Sequence, residues 1–305
     1  MLSYSEYLQQ YFPGVKVQKL SLDAGFSCPN RDGTIGTGGC SYCRCDSFSP
    51  AYCQARRPIR EQIEEGKRFF SRKYPQMKYL AYFQSYTNTH LPSLTTDLSP
   101  LTSLYREALE CDDVVGLVVG TRPDTLPAPV LDLLAEINRD TPVFLEIGAE
   151  TSSNATLRRI NRGHTWADVI NAVSRAHKRG LHVGLHLIAG LPGEDNSQIL
   201  ENVKLACSLP IETLKLHQLQ ILKGTPLARE YEAGAPDIKP FGLDAYLNLC
   251  AEICRMVPDT IVIERFLSQS PPDMVIAPKW GMKNYQFHDR LANILRENSN
   301  KNKSN

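Results

Sequence analysis

The sequence predicts a parallel α/β fold, either an open sheet or a barrel. Short β-rich runs alternate with segments of helical period, and the apolar run 114–119 suits a strand buried on both faces, as parallel sheets require. Polar residues and glycines also collect at the ends of successive runs, where parallel α/β folds carry their chemistry. The predicted strands are 15–22, 79–84, 114–120, 143–147, 182–189, 213–219 and 261–264.

The predicted helices lie between these runs. Apolar residues recur at helical spacing in 59–70, 166–173 and 199–207, and Pro129 fits the first turn of a helix after the third run. Because strands and helices alternate along the chain, we expect consecutive strands to pair in parallel within one sheet.

The ends of five successive runs hold most of the candidate functional residues. A turn alone explains any one polar strand end, but five together favour a shared site. The five segments are 84–89, 120–124, 146–151, 190–194 and 217–220.

The composition fits a folded protein with a sizeable core. The chain has 305 residues, of which 42% are hydrophobic, and this excludes a disordered body. Its net charge of +1 gives no overall field for nucleic acid, so any such attraction requires a local patch. The first residues contain Glu6 and no apolar core, unlike a signal peptide, and the run 114–120 is too short to span a bilayer. We therefore expect a cytoplasmic protein.

The nine cysteines are unevenly distributed, and five of them lie between Cys28 and Cys53. Cys40 and Cys43 form a C-x2-C pair, and Cys28 precedes them across a glycine-rich loop that can wrap a bulky group. The spacing leaves three chemistries open. It fits a zinc site completed by Cys45 or Cys53, a redox dithiol, or an iron–sulfur cubane held by three thiolates.

The three cysteines after the first run, with Tyr42 directly before the third, resemble the cluster motif of radical SAM enzymes. The spacing C-x11-C-x2-C has a long first gap, similar to the group related to the Elongator catalytic subunit. Over residues 10–290 the chain resembles the YhcC/YtqA-like radical SAM family. The strings that carry the resemblance are AGFSCPNRDG (24–33), GGCSYC (38–43), YLAYFQSYTNT (79–89), VVGLVVGTRPD (114–124), INRGHT (160–165), HLIAGLPGE (186–194), LKLHQLQILKGT (214–225) and IERFLSQSP (263–271).

The resemblance implies an α/β fold of a particular kind, the partial (β/α)6 TIM-type barrel of the radical SAM superfamily with a small C-terminal extension. Residues 1–225 would form the barrel with the iron–sulfur and SAM sites. Residues 226–297 would pack on the barrel as the extension, and 298–305 would be a disordered tail.

The same resemblance implies the cofactors. Cys28, Cys40 and Cys43 would bind a [4Fe-4S] cluster, whose fourth iron would chelate S-adenosylmethionine. One electron from a low-potential reductant such as flavodoxin or ferredoxin would cleave the sulfonium and give a 5′-deoxyadenosyl radical. The expected cofactor-binding residues are Gln84, Ser85, Thr87, Asn88, Gly120, Thr121, Arg122, Glu146, Glu150, His186, Gly190, Leu191 and Pro192.

Some of these residues have a structural alternative. Arg122 would pair with the SAM carboxylate in fork geometry, or would form a salt bridge with Asp124 or Glu146. The segment 190–193 would approach the adenine through its backbone, or would be a plain strand–helix turn. The cysteines outside the motif are expected to be non-ligands: Cys45 and Cys53 match no family position, and Cys111, Cys207, Cys250 and Cys254 read as core residues.

The expected substrate also follows from the resemblance. The Elongator catalytic subunit acts on the wobble uridine of tRNA, so the expected partner is the tRNA anticodon loop. The expected reaction converts carboxymethylaminomethyl-uridine to aminomethyl-uridine, and His217, Gln218, Gln220 and Lys223 would position the substrate carboxylate. The alternatives are radical modification of a peptide or small molecule, and a non-catalytic, zinc-stabilised binding module.

Recognition of a single-stranded RNA loop uses stacking aromatics beside basic residues. Tyr86, Tyr285 and Phe287 are the aromatic candidates. Arg158-Arg159 with Arg162 is one of several basic clusters in the sequence. Each alone is typical of a solvated helix face, but several that converge would form a phosphate-binding rim.

Overall fold

The chain folds around one curled parallel sheet. The computed structural model describes residues 3–44, 47, 49–71, 76–90 and 97–301. The seven strands follow the order β1–β2–β3–β4–β5–β6–β8, and every neighbouring pair is parallel. They are β1 (Val17–Leu22), β2 (Lys78–Phe83), β3 (Val114–Thr121), β4 (Val143–Glu150), β5 (His182–Ala189), β6 (Thr213–Gln218) and β8 (Val262–Arg265). Two short strands, β7 (Ile221–Leu222) and β9 (Val275–Ala277), form a separate antiparallel pair.

The helices connect these strands as the alternating pattern predicts. Ten α-helices lie in the described part of the chain, and a short 3-10 turn follows β3 at Pro123–Thr125. The helices are α1 (Tyr4–Gln9), α2 (Ile59–Ser71), α3 (Ser99–Leu109), α4 (Ala128–Asn138), α5 (Asn154–Arg159), α6 (Trp166–His177), α7 (Asn196–Cys207), α8 (Pro226–Glu232), α9 (Leu243–Met256) and α10 (Asn284–Lys301).

The sheet curls far enough to bring side chains from its two edge strands together. Lys19 on β1 places its Nζ 2.8 Å from Oε2 of Glu264, although Glu264 belongs to β8 at the opposite edge. This closure confirms the partial TIM-type barrel. The seventh strand comes from the C-terminal segment, which we expected to pack on the barrel, and it pairs directly with β6.

The molecule has separate cores outside and inside the barrel. The largest core lies between the sheet and its helices, and Cys111 and Cys250 are buried in it while Cys207 and Cys254 pack against it. These positions confirm that the four cysteines outside the motif region are core residues.

A smaller aromatic core fills the barrel interior where helix α1 packs. Tyr7 and Leu8 of α1 are buried there with Leu80 and Phe144, and each such side chain contributes roughly 1.5–3 kcal/mol by burial. The hydroxyl of Tyr7 donates to Oε2 of Glu212, which directly precedes β6. Helix α1 therefore plugs the amino-terminal end of the barrel and leaves the carboxyl ends of the strands for the site.

The C-terminal segment covers part of the opposite end. A third core joins Leu191, Leu219 and Ile221 to Leu227 and Ile238. Helix α10 continues to Lys301, into the segment 298–305 for which we predicted a disordered tail, and residues 302–305 lie outside the described residues. No helix in the described part of the chain is both long and apolar enough to cross a membrane.

Candidate active site

The carboxyl ends of the strands open into one cavity of about 410 Å³. This volume lies in the range of pockets that hold small ligands. Most of the predicted site residues line it: Cys28, Cys40, Cys43, Gln84, Thr87, Gly120, Thr121, Arg122, Glu146, Glu150, His186, His217, Gln218 and Gln220. Ser85, Asn88, Gly190, Leu191, Pro192 and Lys223 are not among its lining residues.

The three motif cysteines share a wall of this cavity. Cys28 lies in the loop after β1, where its carbonyl accepts hydrogen bonds from the backbone N–H groups of Arg31 and Asp32 at 2.7 and 3.1 Å. The N–H of Cys43 donates to the carbonyl of Cys40 at 3.0 Å, which forms the tight turn of the C-x2-C pair. The loop thus presents all three thiols to one space.

The arrangement of the thiols bears on which metal group they suit. In the described part of the chain, no three His, Cys, Asp or Glu side chains converge closely enough to hold a single metal ion. A zinc site completed by Cys45 is not tested by this, because Cys45 lies outside the described residues. The three cysteines of an iron–sulfur cubane ligate different irons, so three thiols around one cavity fit that group.

The other two cysteines of this region do not add a described ligand. Cys45 lies outside the described residues. Cys53 is buried and, unlike the three motif cysteines, does not line the cavity. That Cys53 is a non-ligand stays a prediction.

Two N–H donors approach the sulfur of Cys40. Nη1 of Arg162 lies 3.7 Å from Sγ, and Nδ2 of Asn30 lies 3.8 Å from it. Burial raises the pKa of the Cys40 thiol, while the positive charge of Arg162 acts in the opposite direction. Donors of this kind stabilise a thiolate and tune the group that it binds.

Arg162 lines the cavity although it was not among the predicted site residues. We expected it on a solvated helix face, or in a basic rim if several clusters converge, but the side chain is buried at the cavity wall. Its Nη2 donates to the carbonyl of Gly148 at 2.7 Å and lies 3.1 Å from Oε1 of Glu150. The available signal was the string INRGHT, which carried the family resemblance but no assigned role.

The segment that contains Arg162 also clamps the cysteine loop. Nδ2 of Asn161 donates to the carbonyl of Gly39 at 2.8 Å, and the N–H of Ser41 donates to the carbonyl of Ile160 at 2.9 Å. Nε of Arg162 donates to Nε2 of His164 at 3.0 Å. Burial lowers the pKa of His164 to about 3, so the imidazole stays neutral and accepts this bond.

Arg122 forms the salt bridge with Asp124 and also lines the cavity. Nε and Nη2 bind Oδ1 and Oδ2 of Asp124 at 2.9 and 2.7 Å, which is the predicted salt-bridge alternative. The side chain is 2% exposed and lines the cavity, and its Nη1 has no hydrogen-bond partner among the described residues. A buried N–H group without a partner is costly, so this atom suits an anionic ligand in the cavity.

The end of β2 divides between cavity-lining and structural residues. Gln84 and Thr87 line the cavity. Asn88 instead donates from its N–H and its Nδ2 to the carbonyl of Gly120, at 3.2 and 2.8 Å, and so joins the ends of β2 and β3. Ser85 is buried with its Oγ 3.4 Å from Oγ of Ser49. The structure therefore places Ser85 and Asn88 behind the cavity wall.

The turn after β5 lies under the C-terminal segment. Gly190 has φ +87°, and a Cβ there would lie 3.0 Å from the ring of Phe241. Leu191 is buried in the third core, Pro192 is also buried, and the N–H of Gly193 donates to the carbonyl of Asp237 at 2.9 Å. These contacts match the strand–helix turn that was the alternative to adenine binding.

Glu146 occupies the floor of the cavity but its carboxylate is already engaged. It accepts from Lys19 at 2.5 Å, from Lys215 at 2.7 Å and from the hydroxyl of Tyr82 at 2.6 Å, and it lies 2.8 Å from Nε2 of His186. Burial alone would raise the pKa of Glu146, yet the two lysines hold it well below its usual range. The predicted contact of Glu146 with a methionine or ribose group therefore competes with a complete set of partners.

Two of the predicted substrate residues, Gln218 and Gln220, are bound by residues of the C-terminal extension. Gln218 donates from Nε2 to the carbonyl of Ser268 at 3.0 Å and accepts from its N–H at 2.7 Å. Ser270 donates from Oγ to Oε1 of Gln220 at 2.8 Å. Lys223 is exposed, and its carbonyl accepts from Nη1 of Arg44 at 2.8 Å.

Some of the aromatic candidates for RNA contact are exposed and one is buried. Tyr86 and Tyr285 are exposed, and Tyr86 lines the cavity. Phe287 is fully buried against Tyr246, so its prediction as a stacking residue was wrong. Its place in the core follows from the apolar face that α10 turns toward α9.

The basic cluster at the end of α5 is divided between solvent and the C-terminal segment. Arg158 is exposed, whereas Arg159 pairs with Glu230 and, at 2.9 Å, with Oδ2 of Asp237. Arg159 therefore serves as an anchor for the segment 230–237 and contributes little to a phosphate-binding rim.

Comparison with known proteins places the chain among radical SAM proteins. The model of the Radical SAM superfamily matches residues 32–206, and the model of the Radical_SAM C-terminal domain matches residues 211–297. The chain is 35% identical to the uncharacterized protein YtqA of Bacillus subtilis, over 92% of this chain and 84% of that protein. It is 40% identical to protein YhcC of Escherichia coli, over 88% of this chain and 83% of that protein.

More distant similarity reaches proteins named for tRNA chemistry. A tRNA uridine(34) acetyltransferase of Dehalococcoides mccartyi is 26% identical over 59% of this chain and 38% of that protein. The structure of Methanocaldococcus infernus Elp3 with an N-terminal deletion superimposes with a TM-score of 0.67, at 16% identity, over 93% of this chain and 64% of that chain. This chain thus spans less than two thirds of that structure, and the likeness concerns the fold.

Proposed function

The chain belongs to the radical SAM superfamily, and from this we propose that Cys28, Cys40 and Cys43 hold a [4Fe-4S] cluster beside a site for S-adenosylmethionine. The observation that carries the proposal is one cavity lined by these three cysteines and by Arg122, whose buried Nη1 has no hydrogen-bond partner among the described residues. When bound, the cluster and S-adenosylmethionine supply a 5′-deoxyadenosyl radical by one-electron cleavage of the sulfonium.

The residues of this chain have separate tasks in that chemistry. Arg122, already fixed by Asp124, would hold the carboxylate of the cofactor through its remaining N–H group. Arg162 and Asn30 donate toward Sγ of Cys40 and favour its thiolate form. The aromatic plug of α1 closes the far end of the barrel, and this excludes water from that side.

Replacement of one cluster ligand tests this proposal. We expect Cys40→Ala to abolish both the visible iron–sulfur absorbance and the release of 5′-deoxyadenosine from S-adenosylmethionine under a strong reductant. Cys254→Ala, which alters only a residue packed against the main core, should retain both signals and lose a little stability. A wild-type protein that holds iron but never releases 5′-deoxyadenosine would contradict the catalytic part of the proposal.

We also propose that the substrate is tRNA and that the reaction converts carboxymethylaminomethyl-uridine to aminomethyl-uridine at the wobble position. The support is the family resemblance together with the similarity to proteins named tRNA uridine(34) acetyltransferase. A hydrogen atom of the methylene beside the carboxylate would move to the radical and give 5′-deoxyadenosine. The substrate radical would then lose one electron to a one-electron acceptor, such as the oxidised iron–sulfur cluster, and a proton, which gives an imine. Hydrolysis of the imine would break the C–N bond and release aminomethyl-uridine and glyoxylate. Tyr86, exposed at the cavity, is the aromatic side chain available to stack on a base.

Nucleoside analysis of tRNA from cells that lack the gene tests the substrate. The proposal predicts accumulation of carboxymethylaminomethyl-uridine and loss of the aminomethyl form, both reversed by the wild-type gene. The gene with Cys40→Ala should not reverse them. An unchanged wobble-uridine profile would refute the tRNA substrate while leaving the cofactor chemistry in place.

A further inference from the structure

The inner wall of the cavity contains more positive than negative charge. Lys19, Lys215 and Arg265 meet there from β1, β6 and β8, and the carboxylates of Glu146 and Glu264 lie between the lysines. These three cations face two carboxylates, so among the described residues one positive charge of this group is without a partner.

Two neutral imidazoles do not alter this balance. Burial lowers the pKa of both His186 and His217, so neither adds a charge at neutral pH. Burial also lowers the pKa of Lys215; the carboxylates of Glu146 and Glu264 raise it, and the smaller effects of Lys19 and Arg265 lower it.

The unmatched charge is that of Arg265. Each lysine contacts both carboxylates, at distances between 2.5 and 3.1 Å. By contrast, no carboxylate of the described residues pairs with Arg265, whose Nη2 lies 3.4 Å from Nε2 of His217 and whose buried Nε has no hydrogen-bond partner there. Arg265 is also a lining residue of the cavity.

Arg265 has different neighbours from the arginine that we assign to the cofactor. Arg122 follows β3 and is bound by Asp124, whereas Arg265 ends β8 and lies beside His217. The sheet order separates the two strands by four steps.

We propose that Arg265 binds a carboxylate of the substrate and that the inner end of the cavity, with His217, Gln218 and Gln220, is an oxyanion subsite. This inference rests on the proposed function and names the group by which the substrate is held. A guanidinium with unused N–H groups suits a planar carboxylate. A phosphate of the RNA backbone is also an oxyanion that an arginine could bind. However, Arg265 is paired in register with Lys215 inside the barrel. A substituent of a flipped base fits this position better than a polynucleotide backbone does.

Binding of small probes to the cluster-loaded protein tests the subsite without turnover. The probes are N-methylglycine, the free nucleosides 5-carboxymethylaminomethyl-uridine and 5-aminomethyl-uridine, and inorganic phosphate, each measured by calorimetry. We expect the wild-type protein to prefer the carboxylated nucleoside. Arg265→Gln should weaken its binding, and that of N-methylglycine, by about tenfold or more, because a charged hydrogen bond is lost. Binding of 5-aminomethyl-uridine should change by less than about twofold.

Matched variants keep this test decisive. Arg265→Lys retains the charge without the planar fork and should recover part of the affinity, which a merely unfolded variant would not. Arg139→Gln alters an exposed arginine and should change no affinity. Equal losses for both nucleosides, or no binding of either carboxylated probe to the wild-type protein, would overturn the proposal. An Arg265-dependent affinity for phosphate alone would also overturn it, in favour of a backbone contact.

The two proposals fail in different ways. If the tRNA of the deletion strain is unchanged but Arg265→Gln loses N-methylglycine, the subsite stands and the tRNA substrate is wrong. If the tRNA changes as expected but Arg265→Gln binds both carboxylated probes as the wild type does, the function stands and the subsite is wrong.

Discussion

The two ends of the cavity hold buried charge in different ways. At the cysteine end, Asp124 binds Arg122, and Nη1 of Arg122 has no hydrogen-bond partner among the described residues. Glu150 pairs with Arg162, whose Nη1 lies 3.7 Å from Sγ of Cys40. At the inner end, Lys19 and Lys215 are locked together by Glu146 and Glu264. The cysteine end is therefore organised to receive a ligand, whereas the inner lysines mainly satisfy the fold and leave Arg265 as the group available to substrate.

The largest effect should come from breaking the locked charges. Glu146→Gln leaves two buried lysines to share Glu264, so we expect a loss of about 3–5 kcal/mol in the free energy of unfolding. Chemical denaturation at neutral pH measures it. The control is Glu201→Gln, which removes an exposed carboxylate 3.4 Å from Lys204 and should cost at most about 1 kcal/mol. Equal effects of the two variants would mean that the inner cluster is not a locked network.

At the cysteine end, we expect the next largest effect, on how firmly the protein retains the iron of the [4Fe-4S] cluster. Arg162→Lys removes the planar fork that contacts Gly148 and Cys40, and substitutions around metal ligands typically cost about 10–100-fold in metal affinity. We expect faster loss of iron to a chelator in this variant. Arg158→Lys, at an exposed position of the neighbouring helix, should release iron at the wild-type rate. Identical rates in all three proteins would show that Arg162 does not support the cluster.

The pH dependence of the free energy of unfolding tests whether the carboxylate of Glu146 is ionised in the folded protein. The pKa of Glu146 is lowered in the folded protein, so its contribution to stability is complete above the ordinary value of 4.5 and is lost as the pH falls toward the folded pKa. The stability gap between wild type and Glu146→Gln should therefore be widest at neutral pH and shrink below pH 4.5. Denaturation of both proteins at neutral and acidic pH measures the gap. A gap that widens in acid would contradict the ionised state of Glu146.

The smallest effect should come from charge at the surface. Arg159 is one-third exposed and pairs with Glu230 and Asp237, so Arg159→Ala should cost no more than about 1 kcal/mol in chemical denaturation. Arg158→Ala, next to it and exposed, should be neutral. A cost near that of Glu146→Gln would mean that docking of the segment 230–237 depends on this one side chain.

These two ends also differ in how far the sequence predicted them. The alternation of β-rich and helical segments predicted the parallel fold, and the cysteine spacing with its flanking strings predicted the family; both are confirmed. The three cysteines lie within one short loop, so their spacing can be read from the sequence, although the distant residues Ile160 and Asn161 bind that loop. Local sequence therefore carries most of the information about that end.

The inner end is assembled from single residues on separate strands. Lys19, Tyr82, Glu146, Lys215 and Glu264 each stand alone in a strand, and only the register and curl of the sheet bring them together. Nothing local marks such a residue as part of a site, so Lys19, Lys215 and Arg265 were not assigned. In contrast, Ser85 and Asn88 looked like site residues because strand ends are polar, although they bond to the neighbouring backbone and side chains.

Electron paramagnetic resonance of the reduced, iron-reconstituted protein examines the proposed cluster and its open iron together. We expect the signal of a reduced [4Fe-4S] cluster that changes when S-adenosylmethionine is added, because Cys28, Cys40 and Cys43 would leave one iron open. A colourless protein with stoichiometric zinc and no signal, or a cluster signal that S-adenosylmethionine leaves unchanged, would contradict it.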